Sequence, residues 1–141
     1  MQLNLKTDYA LRMLMTLAHA KDVISIDWIA ERHGISRNHL AKVAQDLSAS
    51  GFIETLRGRG GGVRLAKAPA DINIGTVVRE LENLEGFVDC MGGKGQCALS
   101  GGCGLTPVLS GALGAFLDHL DRFTLARIVS DRDAAIAKLF A

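Results

Sequence analysis

Cys90, Cys97 and Cys103 are the only cysteines in the chain, and all three fall within fourteen residues. The stretch that holds them, Asp89-Cys-Met-Gly-Gly-Lys-Gly-Gln-Cys-Ala-Leu-Ser-Gly-Gly-Cys-Gly104, is rich in glycine and poor in bulky side chains. Such a segment builds little apolar core of its own, so something else must order it. Thiolates bind iron–sulfur clusters and zinc strongly, which makes a soft metal centre the expected organiser. An odd count argues against a closed disulfide framework. Redox enzymes that use cysteines carry a C-x-x-C pair beside a βαβ pattern, and neither is present. No Ser/His/Asp constellation or paired-carboxylate site stands out either, so an enzyme is not expected.

The elements that must position these thiols can be read from periodicity and punctuation. From Thr7 to Ala20, Ala10, Leu11, Leu14, Met15 and Leu17 recur at helical spacing. Ser25 is placed to cap a helix from Asp27 to His33, and Gly34 stops it. Ser36 is placed to cap a third helix to about Ala49, with Leu40, Val43 and Leu47 inward and Gly51 beyond its end. Two helices joined by a short glycine-containing turn make a helix-turn-helix. Phe52–Arg57 and Val63–Leu65, two β-prone runs around Gly58-Arg-Gly-Gly-Gly62, then predict a hairpin. Pro69 and Asp71 mark a break, and Ile74, Val77, Val78, Leu81 and Leu84 trace a fourth helix. After the cysteine loop, Leu109, Leu113, Phe116, Leu117, Leu120 and Phe123 predict one long helix from about Leu105 to Val129, with Pro107 in its first turn. Its apolar stripe either pairs with a second copy or folds back on the chain's own core; we expect a dimerisation element.

The fold class expected is therefore mainly α with a small β-hairpin wing: a winged helix-turn-helix over residues 1–85, a cysteine-rich loop over 86–104, and a dimerisation helix with a C-terminal tail over 105–141. At 141 residues and 48% hydrophobic content there is room for one compact domain with an appended element. Lys6, Asp8 and Arg12 interrupt the N-terminal apolar positions, so no signal peptide is expected. No apolar run approaches the roughly 18 residues of a membrane span. Free thiols fit a reducing cytoplasm.

Charge is unevenly spread. Between Arg32 and Lys67 seven basic residues face two acidic ones, a local +5 in a chain whose net charge is +1. That block coincides with the helix-turn-helix and hairpin and marks a polyanion-binding face. Recognition helices present their N-terminal residues to base edges in the major groove, and here those are Ser36, Arg37, Asn38 and His39, with Lys42 one turn on. Arginine pairs with guanine and asparagine with adenine, while serine and lysine hold phosphates. The hairpin adds Arg57, Arg59 and Arg64, with Arg59 at the tip placed for a narrow minor groove. A nucleotide phosphate loop is excluded: the segment lacks a Gly-Lys-Ser/Thr ending, and Val63 stands where G-x-G-x-x-G requires glycine.

The opening Met1-Gln-Leu-Asn-Leu-Lys-Thr-Asp-Tyr-Ala-Leu-Arg12, then Ser36-Arg-Asn-His-Leu-Ala-Lys-Val43, Arg57-Gly-Arg-Gly-Gly-Gly-Val-Arg-Leu65, Val78-Arg-Glu-Leu-Glu82, the three-cysteine loop and Phe123-Thr-Leu-Ala126 form one set. Together they resemble the iron–sulfur winged-helix repressors that include IscR, RirA and NsrR, over nearly the full length. Within that group the likeness is to the nitric-oxide-sensing NsrR type. The resemblance implies a homodimer with crossing C-terminal helices and an iron–sulfur cluster at the dimer interface, four-iron (4Fe–4S) favoured over two-iron (2Fe–2S). Three cysteines of one subunit are then ligands, and the fourth ligand differs between branches. The IscR branch uses a histidine three residues past the last cysteine, where this chain has Thr106. The NsrR branch can use an aspartate near the N-terminus of the other subunit, a position that Asp8 matches, with Arg12 as its orienting partner. Asp8 and Arg12 are also spaced as an ordinary helix ion pair. The function implied is repression at a palindromic double-stranded DNA operator, with nitric oxide reacting at the cluster and lowering operator affinity. The alternatives are an iron–sulfur or redox-status regulator of the IscR/RirA type, and a winged-helix regulator braced by zinc through the three cysteines and Asp8 or a histidine.

Overall fold

Four side chains fix where helices begin. Asn4, Ser25, Asn73 and Thr124 each accept a hydrogen bond from the backbone N–H three residues on, at 2.8, 3.2, 3.0 and 3.4 Å. They cap α1 (Leu5–His19), α2 (Ile26–His33), α4 (Ile74–Leu81) and α6 (Leu125–Ile128), each cap satisfying an amide that the first turn leaves unpaired. Between α2 and α4 lie α3 (Arg37–Ala49) and the antiparallel strands β1 (Ile53–Leu56) and β2 (Gly62–Leu65). Helices α5 (Leu105–Leu120) and α7 (Ala134–Leu139) complete the order. This computed structural model describes residues 2–88, 90–92, 97–130 and 134–141; residues 93–96 of the cysteine loop lie outside the described residues.

The helix-turn-helix forms as the sequence predicts. Gly34 ends α2 in the left-handed region (φ 63°), with its N–H bonded to Ala30 and Glu31 carbonyls, a conformation that suits glycine. Ile35 is buried in the turn. Ala10, Met13, Leu14 and Leu17 of α1 meet Ile29 of α2 and Leu40, Val43, Ala44 and Leu47 of α3 in one core. Strand pairing runs from Ile53 opposite Leu65 to Leu56 opposite Gly62, so Ile53 and Val63 point inward while Glu54 and Arg64 face solvent. Ile24 adds a bridge to Val63 and anchors the hairpin beside α2. The mainly helical architecture with a two-stranded wing is thus the one expected.

The last third departs from the expectation in one respect. The helix expected from about Leu105 to Val129 stops at Leu120. Asp121 and Arg122 turn the chain, and Phe123 and Leu125 spend their backbone groups on the segment before α4: Ile74 N–H donates to the Phe123 carbonyl at 3.0 Å, and Leu125 N–H to the Ile72 carbonyl at 2.8 Å. Leu125 is fully buried there. Arg79 of α4 holds both Asp121 carboxylate oxygens, through Nη1 and through Nη2, the latter at 2.8 Å. The pair holds the Asp121 carboxyl below the usual carboxylate range, chiefly through the Arg79 hydrogen bonds. Tertiary pairing, rather than any local stop signal, ends α5.

That latch needs Gly75, because a Cβ there would lie 1.9 Å from Asp121 Oδ1. Gly75→Ala is expected to displace Asp121 and lower Tm by roughly 2–5 °C, and adding Asp121→Ala should recover part of the loss. An unchanged Tm for the single variant would show that the contact is slack.

Candidate metal centre and nucleic-acid interface

The three thiols sit between α4 and α5. Cys90 and Cys103 are half-buried, Cys97 is exposed, and all three are free of disulfides. Cys103 lies two residues before α5, and its carbonyl accepts the Thr106 N–H at 3.3 Å. The Thr106 hydroxyl is in turn 3.7 Å from Cys90 Sγ. Thr106 therefore holds the Cys90 sulfur and the Cys103 backbone at the first turn of α5. The fold thus presents the Thr106 side chain to a cysteine. Among the described residues no three His, Cys, Asp or Glu side chains are gathered around one point. The donor chemistry, three unpaired sulfurs on a glycine-rich loop, nevertheless fits a soft metal or iron–sulfur centre.

Asp8 stands in the first turn of α1, half-buried, with its carboxylate held sideways by Arg12: Oδ2 is 2.6 Å from Nη2 and Oδ1 accepts from Nε at 3.2 Å. As a partly exposed i,i+4 pair this adds only about 0.3–0.5 kcal/mol, so the aspartate is oriented without being locked. Sequence reasoning missed what places this helix. Asn4 caps α1, donates its backbone N–H to Glu82 Oε1 at 2.8 Å, and donates through Nδ2 to Glu82 Oε2 and the Leu81 carbonyl. Glu82 follows α4 directly. The start of α1, bearing Asp8, is thus tied to the end of the helix from which the cysteine loop departs. Nothing local in the sequence signals a contact spanning 78 positions.

The same helix reaches the helix-turn-helix. Thr16, fully buried, donates its hydroxyl proton to the Arg12 carbonyl at 2.8 Å. Its only proton being used, its oxygen accepts from Nε2 of His33, also 2.8 Å away, at the last position of α2. Burial holds His33 below the usual histidine range, Arg12 lowers it further, and Asp8 opposes both. A histidine with a lowered folded pKa binds more protons when unfolded, so stability falls as pH drops below its ordinary value of about 6.5. His33→Gln should flatten thermal stability between pH 7 and pH 5.5; an unaltered pH slope would remove His33 from the account.

The predicted DNA-facing side chains are all exposed: Ser36, Arg37, Asn38, His39 and Lys42 at the start of α3, and Arg57, Arg59 and Arg64 on the wing. Ser36 occupies the N-cap position of α3 but makes no side-chain cap bond, so the hydroxyl expected to cap that helix is not used by it. Arg37 is paired through Nε with Asp27 of α2, and Arg64 through Nε with Glu54 across the hairpin at 2.9 Å. Arg59 sits at the tip between Gly58 and Gly60, both at positive φ, where glycine permits a tight reversal.

Comparison with known proteins agrees with this architecture. The family described as "Rrf2: Iron-dependent Transcriptional regulator" matches residues 3–131. The "HTH-type transcriptional regulator NsrR" of Bacillus licheniformis is 47% identical over 136 residues, covering 94% of this chain and 95% of that protein. The regulator of the same name from Bacillus subtilis is 46% identical, covering 94% and 93%. Among solved structures, T. potens IscR superposes with a TM-score of 0.75 at 27% identity, over 96% of this chain and 90% of that one. The oxidized form of Staphylococcus aureus CymR gives 0.76 at 25% identity, over 95% and 100%.

Proposed function

The chain belongs to the Rrf2 family and is a DNA-binding transcriptional regulator, and from that premise we propose that it is a repressor whose iron–sulfur cluster senses nitric oxide. Cys90, Cys97 and Cys103 would hold the cluster, and Asp8 of the partner subunit would complete the ligand set in a homodimer. Bound there, the cluster supplies iron atoms with which nitric oxide reacts. Arg12 keeps the Asp8 carboxylate oriented, and a carboxylate is a weaker ligand for soft iron than a thiolate, which suits a bond that must be released. A 4Fe–4S centre and a cytoplasmic location accompany this reading; no helix among the described residues is long and apolar enough to cross a membrane.

The observation that carries the proposal is the place of the cysteine loop. Helix α5 is fastened to the head at its C-terminal end by Asp121, Arg79 and Asn73, and at its N-terminal end it emerges from the loop. Across its 16 residues no side chain is buried, although Leu105 and Val108 are 57% and 64% exposed. Such a face is expected to pair with α5 of a second copy. Ordering the loop then fixes one end of the pairing helix, and with it the separation of two recognition helices reading grooves about 34–36 Å apart. Releasing Asp8 and loosening the loop alters that separation, a two-state element biased by its ligand.

Two experiments test this reading. In an anaerobic gel-shift assay nitric oxide should weaken operator binding; unchanged affinity would refute the sensing mechanism. Arg59→Ala should weaken operator binding, by about tenfold for a lost minor-groove contact, while leaving the visible spectrum unaltered. Loss of the spectrum would make Arg59 structural instead.

A further inference from the structure

Four arginines of the described structure are paired with carboxylates in three different ways. Arg79 grips Asp121 with both terminal nitrogens, and Arg12 uses Nε and Nη2 on Asp8. Arg37 and Arg64 are each held through Nε alone. Arg64 and Glu54 are direct cross-strand neighbours in the hairpin register, so that pair is explained by the hairpin. The Asp27–Arg37 pair has no such explanation. It joins the first turn of α2 to the first residue of α3 across the helix-turn-helix, and both side chains are strongly exposed, 67% and 63%. An exposed pair of this kind adds little to stability, and the start of α2 is already capped by Ser25.

We infer that Asp27 is a specificity-determining residue that aims Arg37 at a guanine. The inference rests on the DNA-reading role of α3. A carboxylate on Nε leaves Nη1 and Nη2 as an unspent two-pronged donor, the set that matches O6 and N7 of guanine in the major groove. The grip seen at Arg79 would consume that donor. Holding Nε also removes side-chain freedom before DNA arrives, so less ordering is lost on binding. The negative charge of Asp27 keeps Arg37 from settling on a nearby phosphate with full benefit, which penalises sites lacking the guanine. Asp27 thus touches no base and acts through Arg37, as a positioning residue.

The test uses anaerobically purified full-length protein and a pool of random-sequence duplex DNA, from which the wild type selects its sites. Dissociation constants are then measured on the selected duplex and on versions with each G·C pair changed to A·T. Arg37→Ala should lose discrimination at one guanine by about ten- to a hundredfold. Asp27→Ala should lose about three- to tenfold at that same base, with binding to scrambled DNA unchanged or tighter. In the Arg37→Ala background Asp27→Ala should change nothing further there. Ser25→Ala, which weakens the start of α2 without touching the pair, should leave base discrimination intact. The assignment is overturned if Asp27→Ala changes affinity for every duplex by one factor, if it still acts when Arg37 is absent, or if Ser25→Ala mimics it. If the wild type enriches no sequence at all, the DNA-reading premise itself fails and takes this assignment with it.

Discussion

Cys97→Ala is expected to yield folded protein that no longer retains an iron chromophore. Cys97 is exposed and lies outside the core, so its loss leaves the packing of α1, α2 and α3 untouched, and helical content and Tm should match those of the cluster-free wild type. As one of three thiols, however, it supplies a third of the thiolate ligands available in the chain, and two thiols with a carboxylate make a poor substitute. Absorption spectra of anaerobically purified protein would show the loss directly. A variant that keeps the wild-type spectrum would remove Cys97 from the ligand set and leave Cys90 and Cys103 in need of another partner.

If α5 pairs two copies as proposed, Val108→Glu is expected to leave a monomer. Val108 is 64% exposed in one chain, on a helix with no fully buried residue, where Leu120 at the C-terminal end packs against the core of the head. Covering this face with a second α5 would bury Val108 and its neighbouring leucines at about 25 cal/mol per Å², and a carboxylate placed among them would have to be desolvated without a partner. A monomer presents one recognition helix where a dimer presents two, so operator affinity should fall by about 10²–10⁴. Sedimentation or light scattering gives the mass. An unchanged mass would mean that α5 is not the pairing face, and unchanged operator binding by a true monomer would break the link between pairing and groove spacing.

The sequence shows the head of the molecule more fully than the segment after the cysteines. Helix-turn-helix and wing are legible because their signals are local: Ser25 and Gly34 bracket α2, the inward residues of α3 keep helical spacing, and the wing glycines force a hairpin. The end of α5 is not legible, because neither glycine nor proline marks Asp121 and Arg122, and the apolar spacing runs on to Phe123. What stops the helix is a strand-like exchange with Ile72 and Ile74, some fifty positions earlier. The C-terminal segment is hidden for the same reason. Its Phe140 ring packs near His19 and Trp28, at 5.0 and 4.9 Å between centroids, and Arg32 bonds the Leu139 carbonyl at 2.8 Å.

The candidate sites divide in the same way. Cysteine spacing is a local pattern and is readable, as are the arginines of the wing. The Asn4–Glu82 tie that places Asp8 and the Asp27 carboxylate beside Arg37 are contacts between elements, and each pair reads as ordinary solvated side chains until the chain is folded. Ser36 shows the converse. Its position suggests a cap, and only the structure shows that α3 leaves its hydroxyl unused.

The most direct measurement of the central claim is an iron and acid-labile sulfide determination on protein isolated without oxygen. A cluster held by Cys90, Cys97 and Cys103 predicts brown protein with iron and sulfide in equal amounts, bleached when nitric oxide is added. Colourless protein containing zinc, or containing neither iron nor sulfide, would contradict it.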